Sequence, residues 1–448
     1  MNRIILIGNG FDKAHGLPTG YVDFINNYWE HFVDELEHCN SRVYEDDDKL
    51  CSFTLLYDDI INSRIKTWED FMLSSSVLQH STALEKIEYI KHANDYCEVQ
   101  KTSFLNEIDK AVETRNWVDI ENEYYRLLKN IPKKTNIDKK THLNALNNEL
   151  DYVKKRLVQY LKTIPSVQVD ERIKQIIYEP FKIKDISVSC LYAFHQFLKA
   201  RLDSDIRQGN SVLKNYGDMQ TKDILNDAIA YVNRLKPCGS PNPNSGRYRI
   251  GPNSPDFDKH LSNIEHGEPV PDYFLLPDQI LLLNFNYTKT ANQYLNQGTT
   301  FEINHIHGEI DNDDNPIIFG YGDELDESYK ELSRLNDNDY LKNMKSIRYL
   351  ETDNYRNLLR FVDSAPFQIY ILGHSCGTSD RTLLNTLFEH KNCVSIKPYY
   401  FIDKYGKDNY IELVQNISRN FENTATMRDR VVNKGYCDYF VRYDLLDD

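Results

Sequence analysis

Four stretches of this chain hold residue types able to do chemistry, and each follows an apolar run. The first is Gly8-Asn9-Gly10-Phe11-Asp12-Lys13-Ala14-His15-Gly16-Leu17-Pro18, directly after Ile4-Ile5-Leu6-Ile7. Glycines after a buried strand let the backbone approach a pyrophosphate, and the helix that follows points its amides at the charge. Gly8, Asn9, Gly10, Phe11, Asp12, Gly16 and Pro18 are therefore candidates for holding a nucleotide. A full dinucleotide fingerprint would place a third glycine where Lys13 stands, and glycine turns after strands also occur without any ligand. The second stretch is Leu281-Leu-Leu-Asn284-Phe285-Asn286-Tyr287-Thr288. Open α/β sheets bind ligands where an apolar strand releases its chain into polar residues. Asn284 and Asn286 are the candidates here, Asn286 to bond a ribose hydroxyl or orient a water. The alternative is that Asn and Thr only cap a helix over 288–295.

The third stretch is Phe301-Glu302-Ile303-Asn304-His305-Ile306-His307-Gly308. Alternation on a strand puts His305 and His307 on one face. No third ligand has a metal-site spacing, so no metal is expected. His307, at a strand end before Gly308, suits general acid–base work, because an imidazole titrates near neutral pH. A hydrogen-bonded structural histidine is the other reading. The fourth stretch is Ile369-Tyr-Ile-Leu-Gly373-His374-Ser375-Cys376-Gly377-Thr378-Ser379-Asp380. Gly373, Ser375 and Asp380 could form a second phosphate cradle, with Asp12 or Asp380 on a ribose hydroxyl. Gly373-His374-Ser375-Cys376-Gly377 also matches the Gly-x-Ser-x-Gly elbow of α/β-hydrolases. Its order is poor for a triad: only His390 follows Ser375, and it falls within a helix.

Two weaker features complete the inventory. Residues 129–156 carry eight Lys/Arg against three Asp/Glu, a solvated helix face or a nucleic-acid contact. Trp117 and Glu121 lie one turn apart on a helix, where packing is the default reading. An Asp119/Glu121 pair near a cleft could nevertheless act on substrate.

The elements that must position these residues follow from periodicity. The run before Gly8 reads as a buried parallel strand. From about 22 to 235 the pattern is helical, and Leu143, Leu146, Leu150, Val153, Leu157 and Tyr160 form a seam of nearly three heptads. Residues 236–272 hold seven of the fifteen prolines and read as a linker or long loop. Strands are predicted over 279–285, 301–307, 316–319, 367–372, 394–401 and 439–442, and a helix between Asp380 and His390 that Ser379 or Asp380 can cap. The expected fold is α/β, a Rossmann-like, mostly parallel sheet. Residues 1–21 supply its first strand and glycine turn, 22–235 a large helical insertion, and 273–448 the remainder.

Composition sets the outer bounds. The 448 residues carry a formal net charge of −15, which argues against a chain-wide nucleic-acid or membrane-surface binder. Mean hydropathy is −0.60 and the apolar runs are short, so no transmembrane helix and no secretory signal are expected, and the localisation read from this is cytoplasmic. The eight cysteines form no Cys-x-x-Cys and read as mostly buried free thiols.

Taken together the motifs carry a resemblance. Gly8-x-Gly10 with Gly16-Leu17-Pro18 is similar to the sirtuin Gly-Ala-Gly-Ile-Ser…Gly-Ile-Pro segment. Asn284-Phe285-Asn286-Tyr287-Thr288 resembles the sirtuin Thr-x-Asn-x-Asp strand end, His307-Gly308 its His-Gly, and Gly373-His374-Ser375 with Asp380 the Gly-x-Ser…Asp turn of bacterial sirtuin-like domains. More closely, Leu6 to Tyr21, with Trp117-x-Asp119-x-Glu121, looks like the AbiH family of bacterial abortive-infection proteins. The resemblance implies a sirtuin-like core that binds NAD or a related nucleotide, in a phage-defence setting. It also implies NAD destruction by an Asn and a His matching Asn286 and His307. The zinc cysteines of sirtuins are missing, Asp-Phe-Arg is replaced by Thr19-Gly20-Tyr21, and Thr288 stands for the last Asp, so protein deacylation is not implied.

The resulting expectation is a nucleotide glycohydrolase acting on NAD, with no permanent cofactor. Asn286 would position ribose or water, His307 would be the base, and the glycine turns would hold the pyrophosphate. A phage-derived trigger and a homo-oligomer are compatible with it. Its rivals are an enzyme of the same fold acting on another nucleotide or on RNA through 129–156, and a non-catalytic nucleotide sensor.

Overall fold

A computed structural model of the chain describes residues 1–47, 49–56, 65–115, 119–135, 138–208, 227–228, 230–231, 263–264, 269–295 and 301–442. Its strands, in chain order, are β1 (Asn2–Ile7), β2 (Val43–Glu45), β3 (Cys51–Leu55), β4 (Cys97–Lys101), β5 (Ile280–Asn284), β6 (Phe301–His305), β7 (Phe367–Leu372), β8 (Cys393–Ile402) and β9 (Tyr439–Arg442).

Every residue of β1 and β7 is buried, as strands covered on both faces require. Such strands belong in the middle of a parallel sheet, and β1 pairs in parallel with β5 on one side and β7 on the other. The six-stranded order is β6-β5-β1-β7-β8-β9, all parallel. Counting only these six strands along the chain, the order is 3-2-1-4-5-6, that of a Rossmann sheet. The chain builds outward from β1 through β5 to β6, then returns to the other side of β1 as β7. That reversal opens a crevice beyond the carboxyl ends of β1 and β7.

Alternation along β1 divides the core. Ile4 and Leu6 pack with Leu283, Ile371 and the helices Asn354–Ser364 and Arg381–Phe388. Ile5 and Ile7 face the other way, onto Leu372, Ile173 and Ile177. The helix Glu171–Tyr178 thus packs on the sheet itself, although it falls inside the stretch expected as the insertion.

That stretch is also not purely helical. β2, β3 and β4 form a separate three-stranded antiparallel sheet, whose Phe53 is buried against Phe32 and Trp68. The leucine seam lies on the helix Lys139–Lys162, and Leu143, Leu146, Leu150, Val153 and Leu157 are buried in the largest apolar cluster with Phe24, Trp29 and Tyr124. Tyr160 is only partly buried.

Three element predictions need correction. β6 ends at His305, two residues early, because the chain turns there and Gly308 takes φ +82°. Residues 316–319 form no strand, since a single backbone bond from Ile318 to His307 O takes the place of a ladder. The helix expected over 288–295 is a 3₁₀ segment, Thr290–Tyr294. Most of 236–272, and Trp117, lie outside the described residues. Among the described residues no helix is long and apolar enough to cross a membrane.

Candidate active site

The crevice between β1 and β7 starts where both strands break at glycine. A Cβ on Gly8 would stand 2.5 Å from His374 Cα, and one on Gly10 would stand 2.8 Å from Gly373 Cα. Gly373 itself has φ +74°, with Phe11 N 2.2 Å from where its Cβ would be. The two turns therefore need glycine to pack backbone on backbone. Their polar groups are also engaged: Gly10 N–H donates to Gly373 O at 2.8 Å, and Phe11 N–H to Gly8 O at 2.8 Å. Those two amides are therefore occupied by backbone and are not free for the pyrophosphate expected at these glycines.

Several other candidates turn out to hold the crevice together. Asn9 Nδ2 donates to Thr19 O and Oγ1, both at 2.7 Å. Pro18 O accepts from Tyr160 Oη at 2.6 Å, and Phe11 is fully buried against Tyr294 and Phe440. Gly16, at φ +75°, only turns the chain after the helix Asn9–Ala14, and a Cβ on Gly308 would meet Pro316 O at 2.2 Å. Buried Asp12 accepts from Thr288 Oγ1 at 2.6 Å, and burial raises its pKa. Asn284, fully buried, donates to Thr288 O and His305 Nδ1. Asn286 Nδ2 donates to Gly8 O at 2.9 Å, which ties the end of β5 to the first glycine turn.

The groups left to do chemistry surround a cavity of about 430 Å³. Asp380 is their hub. One of its oxygens lies 2.8 Å from Lys345 Nζ and 3.2 Å from His307 Nε2, and the other lies 3.7 Å from His374 Nε2. Asp380 occupies the N-cap position of the helix Arg381–Phe388, as predicted, but its side chain makes no cap bond. Lys345, fully buried, also contacts Glu121 Oε2 at 2.8 Å, and Glu121 Oε1 accepts from Gly320 N–H at 3.0 Å. His307 Nε2 lies 3.1 Å from Tyr349 Oη. His374 Nδ1 accepts from Cys376 N–H at 3.0 Å, so its proton sits on Nε2, toward Asp380.

Electrostatics sets the protonation states. Burial alone would raise Asp380, but Lys345 and His307 outweigh it and hold the carboxyl well below its usual range. Burial, reinforced by Lys345, pushes His307 down to about 4 despite the Asp380 charge. Burial and the nearby Asp380 and Asp119 carboxylates push Glu121 up against the pull of Lys345. At neutral pH His307 is therefore a neutral imidazole, oriented through Nε2 by Asp380 and Tyr349. Its Nδ1 makes no hydrogen bond to a described residue and can take a proton. A base held by a buried carboxylate is the arrangement that activates water or a hydroxyl.

Residues 253–401 match a family model described as bacteriophage abortive infection AbiH. No curated protein and no solved structure matches the chain. The AbiH match covers about a third of the chain and contains Asn286, His307, Lys345, Gly373 and Asp380, but neither the first glycine turn nor Asp119 and Glu121.

Outside the AbiH segment, Asp119 and Glu121 reach the cavity from the start of the helix Ile120–Asn130, as the sequence spacing allowed. Lys345 and Tyr349 were not found from sequence, because neither sits in a motif. The elbow reading of Ser375 does not hold: among the described residues no histidine bonds its Oγ, and the side chain is exposed. At least three of the eight basic residues in 129–156 are paired within the molecule, as Lys129–Asp326 at 3.3 Å, Arg156–Asp46 at 2.8 Å and the Lys140–Asp339 contact.

Proposed function

We propose that this protein hydrolyses the N-glycosidic bond of a nucleotide, with NAD as the first candidate substrate, in defence against bacteriophage. One observation carries the reading: the Asp380–His307 pair stands in a buried cavity at the switch point of a 3-2-1-4-5-6 sheet, where such folds bind nucleotides. The defence setting rests on the AbiH match, and NAD rests on the motif likeness to sirtuins.

On this reading His307 Nδ1 takes the proton of a water as its oxygen attacks C1′ of the ribose. Asp380 stabilises the imidazolium that forms, and Lys345 and Glu121 fix Asp380 in place. A base of this kind contributes about 10²–10⁴-fold. Asn286, bound to Gly8, would align the ribose rather than the water.

The test is chromatography of NAD incubated with purified protein, with and without lysate of phage-infected cells. His307→Ala should lose the turnover that wild type shows. Intact NAD and intact nucleoside monophosphates under every condition would sink the reading, and binding without turnover would make the protein a nucleotide sensor.

A further inference from the structure

The carboxylate of Asp119 enters the cavity from the insertion rather than from the sheet. Its Oδ1 caps the helix Ile120–Asn130, accepting from Asn122 N–H at 3.0 Å. Its Oδ2 makes no well-formed hydrogen bond to a described residue, and it lies 3.7 Å from where a side chain at position 377 would begin. This oxygen therefore borders the turn after β7 on the cavity side. Asp380, Lys345 and Glu121 are the charged groups around it.

We infer that Asp119 is the proton donor to the departing base, and that the site favours N-ribosides whose leaving group needs a proton, of which purine nucleotides are the type. The inference rests on the hydrolase reading above and narrows its substrate class. A pyridinium base such as nicotinamide leaves as a neutral molecule once it takes the bond pair, and an acid gives it nothing. A purine would leave as an anion unless a ring nitrogen is protonated as the bond breaks. NAD carries one bond of each kind.

The step balances without any further reactant. The water oxygen bonds C1′ as the bond from C1′ to N9 breaks, and its electron pair moves into the purine. The purine takes the Asp119 proton at a ring nitrogen, while His307 Nδ1 takes the proton of the water. Transfer from His307 back to Asp119 through solvent resets the site. Burial raises the Asp119 pKa, and the Asp380 charge adds to it against Lys345 and the Asn122 amide. The same surroundings hold His307 neutral. Burial thus favours a proton on Asp119 and a neutral His307, the directions that a donor and an acceptor require.

The experiment compares GMP with 7-methyl-GMP, whose base already carries the positive charge that protonation would supply. Asp119→Asn preserves the helix cap, because asparagine caps as well as aspartate. The variant should lose about 10²–10⁴-fold in kcat on GMP and stay within a few-fold of wild type on 7-methyl-GMP. If both substrates fall together, or neither falls, Asp119 is not the donor while the hydrolase reading stands. Wild-type cleavage of NAD to nicotinamide and of 7-methyl-GMP, with GMP untouched, overturns the assignment in the same way. If wild type cleaves none of the three, the hydrolase reading fails and this assignment fails with it.

Discussion

The protonation state of His307 can be tested without knowing the substrate. The imidazole is nearly fully buried and faces Asp380, Lys345, His374 and Tyr349. Its pKa falls from 6.5 to about 4 on folding, so between those values the unfolded chain binds the proton and the native protein does not. Stability linked to His307 is then fully present above pH 6.5 and is lost as pH falls toward 4. With those two values the loss between pH 7 and pH 4.5 is roughly 2 kcal/mol, at 1.36 kcal/mol per unit. The assay is urea unfolding of wild type and His307→Gln at pH 7.0, 5.5 and 4.5. Both proteins will lose stability through other groups, but wild type should lose roughly 2 kcal/mol more than the variant. Parallel losses would refute the reasoning. A wild type that gains on the variant as pH falls would mean that the Asp380 charge, and not burial, governs the imidazole.

Three further outcomes follow from the same geometry. Lys345→Met removes the buried cation between Glu121 and Asp380 and should cost roughly 3–5 kcal/mol in urea unfolding at pH 7, with a larger cost at pH 9, where Glu121 gives up its proton beside Lys345. Gly373→Ala forces a Cβ to within 2.2 Å of Phe11 N at φ +74° and should cost about 3 kcal/mol or more, read as a lowered Tm. Asn286→Ala removes the bond to Gly8 O, so it should cost about 1 kcal/mol and raise KM while kcat stays within a few-fold. A hundredfold fall in kcat would instead restore the water-orienting role that the sequence suggested.

The strand ends were legible because an apolar run that stops at glycine has few other meanings. β7 was bounded correctly, and β1 was recognised by its four aliphatic residues. What the glycines accommodate was not legible. Glycine reports that no Cβ fits at a position, and at Gly10 and Gly373 the structure shows each other's backbone in that space. Strand order was hidden as well, since it depends on which side of β1 the chain returns after β6. Lys345 could not be found because a lysine buried between two carboxylates has the same letter as one in solvent. Its partners Glu121 and Asp380 lie 224 and 35 residues away. Asp119 and Glu121 could be suspected from their proximity to each other and from the Trp117-x-Asp119-x-Glu121 motif.

The charge count of the cavity bears on how a nucleotide would enter it. Burial favours a proton on Asp119 and Glu121, Asp380 is the carboxylate held ionised, and His307 adds no charge while it is neutral. A phosphate driven to the bottom would meet the Asp380 charge and a Lys345 already paired with it, while the Gly8, Gly10 and Phe11 amides are bonded to backbone. The half-exposed Lys13 lies at the cavity, 4.0 Å from Asp23. On the proposed reading the ribose therefore goes inward, toward His307 and Asp119, and the phosphates stay outward near Lys13. An acidic protein can hold an anionic ligand in that orientation, because the Asp380 charge then lies beside His307 on the side of C1′, where positive charge develops as the bond breaks.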